Sequence, residues 1–156
     1  MSFKLSTTLL AALALSTSFV SLSASAQVLP GKHPSYEHAL SDLRIARWAL
    51  EHRPGDAAVS SQEDVAITET DKAINELRKA IAEDGKSETA RPPEDASLDH
   101  SGRLHHALEL LRKAHADVHQ EEDNPQARVA RNRIDEHLDV AIKAAERAVH
   151  DFDTHK

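Results

Sequence analysis

The sequence predicts an all-α protein: an antiparallel four-helix bundle built from a duplicated helical hairpin and preceded by a cleaved signal peptide. Three observations lead there. Apolar residues recur at spacings of three and four through most of the chain beyond His33, the period of an amphipathic helix. The stretches between these runs carry the proline, glycine and short polar residues that stop and restart helices. One constant shift, from His38 to His106, then aligns the second half on the first without a gap. His38-Ala39-Leu40 falls on His106-Ala107-Leu108, Leu43-Arg44 on Leu111-Arg112, and Ala46 on Ala114. The same shift puts Asp71, Ala73, Ile74 and Ala80 on Asp139, Ala141, Ile142 and Ala148. One register serves both helices of each half, which chance similarity between alanine-rich helices would not keep across a turn.

Residues 1–26 read as an export signal. Lys4 gives a short positive start, Leu9 to Leu15 an apolar stretch, and Ala24-Ser25-Ala26 a small-x-small cleavage site that leaves Gln27 first. The apolar run is far short of the ~20 residues that cross a bilayer. A bacterial periplasmic or secreted location follows, and the absence of cysteine excludes lipoprotein attachment and disulfides. The remaining residues 27–156 are of single-domain size, enough to bury a core without staples. All 26 acidic residues and 18 of the 19 lysines and arginines lie in this part, a formal net charge of −8. Such a balance disfavours nucleic acid and anionic membrane surfaces, and suits cations.

The first helix is expected from Ser35 to Arg53, with Tyr36, Leu40, Leu43, Arg47 and Leu50 on its inner stripe and Pro54-Gly55-Asp56 as its stop. The second is expected from Ser61 to Asp84, opened by a Ser60–Glu63 capping box and closed by Gly85. Its stripe is Ala66, Thr70, Ile74, Leu77 and Ile81. This first hairpin (35–84) is followed by a linker over 85–98 containing Pro92-Pro93, and by a second hairpin over 99–152. The third helix runs from about Gly102 to Gln120 with Asp99 or Ser101 as cap, and its stripe is Leu104, Leu108, Leu111, His115 and Val118. After the acidic turn Glu121-Glu122-Asp123, Asn124 caps the fourth helix and Pro125 takes its first position. That helix continues to Phe152 through Ala130, Ile134, Leu138, Ala141, Ala145 and Val149.

Eleven histidines, the first of them His33, are the chemical lead. Imidazole is the commonest metal ligand and titrates near neutrality. With successive helices alternating in direction, His33, His38, His100, His105, His106, His150 and His155 are expected to collect at one end of the bundle, with Glu83, Asp84, Asp151 and Asp153. His52, His115 and His119 are expected at the other end, near Glu121, Glu122 and Asp123, and His137 in mid-helix. His115 and His119 stand four apart on one helical face, as do Glu146 and His150. Each pair offers two ligands, so a tight site must recruit from a neighbouring helix. His115 points inward, in the place its copy gives to Arg47. The candidate metal ligands are therefore His38, His105, His106, His115, His119, His137 and His150. Imidazole with carboxylate suits divalent copper, nickel or zinc, and copper ranks first on affinity.

Other chemistries lack their residues. There is no Cys-x-x-Cys-His for haem attachment, no Glu-x-x-His tetrad of a di-iron bundle, no His-Glu-x-x-His, and no glycine-rich phosphate loop. Ser60-Ser61 and Ser101 sit at helix starts, where serine is expected for capping alone. We expect no enzymatic activity. Trp48 and Ile45 lie on the far face of the first helix from Leu40 and Leu43. They are expected either under the following turn or at a contact with a second copy or a protein partner. The alternative reading of the whole is an exported interaction or scaffold protein whose histidines are incidental.

The His-Ala-Leu segments and the stretch Glu-His-Leu-Asp-Val-Ala-Ile-Lys-Ala-Ala-Glu-Arg-Ala-Val-His (136–150) resemble the helices of the small metal-binding proteins. The members of that family are exported, histidine-rich bacterial four-helix bundles. The resemblance implies binding of copper and other divalent ions, as a buffer or stress protein, with His106, His137 and His150 as the ligands that correspond. This chain departs from them in being longer, in its Pro-Pro linker, and in a second helix without histidine.

Overall fold

A computed structural model describes residues 34–52, 57–83, 99–120 and 125–154. They form four α-helices: α1 (Pro34–Glu51), α2 (Ala57–Glu83), α3 (His100–His119) and α4 (Pro125–Thr154). There is no strand among the described residues. The expected signal peptide, Pro54-Gly55-Asp56 stop, Gly85 helix end, linker, acidic turn and Asn124 cap lie outside them, as do His33 and His155. No described helix is long and apolar enough to cross a membrane.

Local chemistry sets the helix starts. Asp99, not Ser101, caps α3: its backbone is extended (φ −68°, ψ 179°) and its carboxylate accepts from the Gly102 amide at 2.7 Å. Pro125 opens α4 as its fixed φ predicts. Ser60, expected to cap the second helix, lies inside it. α2 begins at Ala57, because Ala57 and Ala58 favour the helix enough to extend it past Ser60. Glu63 consequently falls on the inner stripe one turn before Ala66 and is fully buried.

The burial pattern repeats at the shift read from the sequence. Tyr36, Ala39, Leu40, Leu43, Ala46 and Leu50 are buried, and so are their counterparts Leu104, Ala107, Leu108, Leu111, Ala114 and Val118. Ala66, Thr70, Ala73, Leu77 and Ala80 match Ile134, Leu138, Ala141, Ala145 and Ala148 in the same way. The ends of α1 and α3 and the starts of α2 and α4 obey this spacing too. Thr70 brings a hydroxyl to a position its counterpart gives to Leu138, and that hydroxyl donates to the Ala66 carbonyl at 2.7 Å.

α1 packs on α2 and α3, and α4 packs on α2 and α3. Among the described residues α1 and α4 make no contact, nor do α2 and α3. The order around the bundle is thus α1–α2–α4–α3, and the two helices joined by the long linker are diagonal. The widest interface is between α2 and α4, where buried alanines on both let the backbones approach. Cross-helix pairs give the directions. Along α3 and α4 they are His105–Asp153, Arg112–Glu146, His115–Asp139 and His119–Asp135. Along α2 and α4 they are Glu69–His137 and Glu76–Arg133. In both sets residue numbers rise on one helix as they fall on the other.

This order corrects the expectation that successive helices along the chain alternate in direction: α2 and α3 both run antiparallel to α4, and so run the same way. Lys113 donates to Asp42 at 2.6 Å, and His38 acts on the carboxyl of Asp117, so the start of α1 lies beside the finish of α3. The physical reason is reach. A linker over 85–98, at up to ~3.3–3.6 Å for each residue, is able to pass from one end of a bundle to the other, so connectivity does not force α3 against α2.

Candidate metal centre

The α3–α4 hairpin brings together three groups able to hold an ion. His115 and His119 sit one helical turn apart near the finish of α3, with ring centroids 4.6 Å apart in an edge-to-face arrangement. Asp135 on α4 faces both. Its Oδ1 lies 3.5 Å from His119 Nε2 and 3.9 Å from His115 Nε2. One donor atom from each of the three lies within 4.8 Å of the others, and no other His, Asp or Glu group among the described residues does this. Asp139, one turn further along α4, places Oδ1 3.6 Å from His115 Nε2.

The electrostatics are unbalanced in a way a cation would correct. Asp135 is only 18% exposed. Burial pushes its carboxyl above the usual carboxylate value and the neighbouring Asp139 pushes it further, while His119, His115 and Arg131 pull it back. Its two oxygens divide their work. Oδ2 faces Arg131 Nε at 3.8 Å, whereas Oδ1 is buried and accepts no hydrogen bond. A buried acceptor left without a donor is costly, and a bound ion is one of the ordinary explanations for it. The site lies at the finish of α3, where the helix dipole presents its negative end.

The first hairpin shows what the same positions do with other residues. Under the shift that relates the halves, Arg47, Glu51, Ile67 and Asp71 correspond to His115, His119, Asp135 and Asp139. Arg47 donates through Nε to Asp71, and Nη1 lies 2.5 Å from Glu51 Oε2. Its bond to Asp71 holds the guanidinium more firmly protonated than usual. Ile67 packs on the core. A side-chain cation therefore joins α1 to α2 where, in the second hairpin, two imidazoles meet the Asp135 carboxylate and Asp139 approaches His115.

The remaining sequence candidates do not converge, and the seven-histidine rim divides. His38 stands one turn before Asp42, which accepts from Lys113, and so lies toward the finish of α3 and away from the start of that helix. His105 donates from Nδ1 to the Ser101 carbonyl at 2.9 Å and turns Nε2 toward Asp153 at 3.8 Å. His106 is half-buried and His150 exposed, and neither joins the group above. Glu146, expected to pair with His150, accepts instead from Arg112 at 2.7 Å. His137 donates from Nδ1 to Glu69 at 2.8 Å, in a pair that links a residue to its own copy. His52 donates to the Trp48 carbonyl at 2.8 Å and stacks on the indole. Trp48 and Ile45 both pack against the core as half-buried residues.

Asp135 and Asp139 were not expected as partners of His115 and His119. Their signal was present: a carboxylate pair at four-residue spacing on α4, opposite an imidazole pair at the same spacing on α3. Comparison of the chain with protein-family models, curated proteins and solved structures finds no match.

Proposed function

We propose that this protein is an exported four-helix bundle that binds a divalent transition-metal ion through His115, His119 and Asp135, as a buffer or stress protein. The arrangement is two equivalent antiparallel hairpins, of which the second carries the ion. The observation that supports it most directly is the convergence of Nε2 of His115, Nε2 of His119 and the undonated Oδ1 of Asp135. Two imidazoles and a carboxylate suit copper, nickel and zinc, with copper favoured by the general affinity order. The lysine-led apolar leader supports export, and the acidic net charge suits cations.

Calorimetric titration of the mature chain with Cu(II) tests this. The expected result is micromolar or tighter binding of about one ion. The affinity should be lost in the His115→Ala/His119→Ala variant and kept in the His105→Ala/His106→Ala/His150→Ala variant. Unchanged affinity in the first variant, or no binding by the parent chain, overturns the proposal.

A further inference from the structure

We infer that the ion is an interhelical clasp, with Asp139 as its fourth contact, standing in the second hairpin where Arg47 stands in the first. The inference rests on the metal-binding reading above and gives that site a structural role. Its basis is the shared frame. The helices carrying the two groups start or stop at equivalent positions, their buried sets match at the same shift, and the cross-helix pair Arg47–Asp71 recurs as His115–Asp139. Equivalent backbone positions thus hold α1 to α2 and α3 to α4.

What differs is where the positive charge comes from. In the first hairpin it is part of α1: the Arg47 guanidinium spans Glu51 on its own helix and Asp71 on the next. In the second hairpin His115 replaces that arginine. A neutral imidazole brings no charge, while Asp135 adds a carboxylate where the first hairpin has the apolar Ile67. Asp135 and Asp139 are four apart on α4, a spacing at which like charges repel. Arg131 approaches Asp135 through Oδ2, leaving Oδ1 turned toward both imidazoles and the Asp139 carboxylate toward His115. A divalent ion coordinated by both imidazoles and both carboxylates converts that repulsion into attraction across the helix pair. It also sits at the negative end of the α3 dipole, as Arg47 sits near that of α1. One half of the molecule carries its clasp in the sequence; the other takes it from solution.

Hydrogen exchange of the mature chain with and without Zn(II), read segment by segment, tests the inference. Without zinc, amides of 111–119 and 131–139 should exchange at least tenfold faster than those of 43–51 and 63–71. Zinc should slow the former tenfold or more and leave the latter unchanged. The His115→Arg/His119→Glu variant, which gives α3 the α1 residues at these two positions, should show slow exchange without zinc and no response to it. Arg47→Ala should speed exchange in 43–51 and 63–71, and it serves if the double variant does not fold. Zinc binding by calorimetry with unaltered exchange in 111–119 and 131–139 overturns the clasp alone. Absence of both zinc and copper binding overturns the metal-binding reading with it. An Arg47→Ala chain that exchanges like the parent overturns the equivalence of the two hairpins.

Discussion

The two hairpins have the same buried skeleton and opposite electrostatic habits. The first closes on itself through Arg47, bonded to Glu51 and Asp71. The second presents His115, His119 and Asp135 to one another, with Asp139 beside His115 and a buried Asp135 oxygen that accepts no hydrogen bond. Packing and chemistry are thus separable in this molecule. The inner stripe repeats because both halves must bury the same faces, while positions one step off the stripe are at liberty to differ. A site can arise there without disturbing the core that positions it.

The largest effect tests the shared skeleton. Leu43 and Leu111 occupy equivalent, fully buried positions. Replacing either by alanine should destabilise the protein by about 2–5 kcal/mol, from lost burial and the residual cavity. The two losses should agree within about 1 kcal/mol in urea unfolding, since both sites are enclosed on all sides and should collapse to a similar extent. A tolerated Leu111→Ala beside a severe Leu43→Ala would show that the second hairpin is the looser half even in its core.

Next comes the chemical difference. Asp135→Asn keeps the shape and removes the charge, so Cu(II) affinity should fall at least about 10–100-fold in calorimetry. The same change relieves a carboxyl whose burial raises it above its ordinary value of 3.8. Such a group binds its proton more tightly in the folded state, so its ionisation opposes folding as pH rises through that window. The ion-free Asp135→Asn chain should therefore be no less stable at neutral pH than its parent. A variant that is destabilised while still binding copper normally would make Asp135 a structural residue.

Much of this was legible in the primary structure. The helices follow from apolar spacing, and the repeat from one gapless shift, because both depend on local periodicity. His115 and His119 were legible as a pair for the same reason. What escaped was whatever depends on which helices are neighbours. The linker over 85–98 is long enough to put α3 diagonal to α2, and that placement sends His38 to the finish of α3 and away from His105 and His106. Asp135 escaped because its partnership is with another helix. The start of α2 moved ahead of Ser60 for a local reason, the helix propensity of Ala57 and Ala58.

A smaller effect lies where the two halves meet. His137 and Glu69, each the copy of the other, join α4 to α2 at 2.8 Å. Bonding to Lys72 first, and then to His137, lowers the Glu69 carboxyl against the opposing effect of burial, and Lys79 lowers Glu76 in the same manner. Both fold with values below their ordinary 4.5, so the stability they contribute is present above that pH and is lost as pH falls through the lowered values. Glu69→Gln should cost about 1.5–3 kcal/mol at neutral pH, the scale of a hydrogen bond to a charged group. It should also flatten the decline in stability below pH 4.5. A parent chain equally stable on both sides of that window would remove these pairs from the account of how the halves adhere.

The smallest effect concerns the outer face of the second hairpin. Arg112 and Glu146 pair at 2.7 Å, but their side chains are 57% and 45% exposed. Exposed pairs gain little, because water screens the charges and two long side chains must be held still. Arg112→Ala should change stability by no more than about 0.5 kcal/mol. In the first hairpin the equivalent positions are Arg44 and Arg78, two like charges, so nothing in the shared frame depends on this pair. The variant has a second use. It releases Glu146 toward His150, four residues on, and so recreates the pair that the sequence offers as an alternative ligand set. If copper stoichiometry and affinity stay as in the parent, the ion belongs to the facing sides of α3 and α4 and not to their outer surface. A second bound ion in Arg112→Ala would show that Arg112 is what keeps the outer pair from acting as a site.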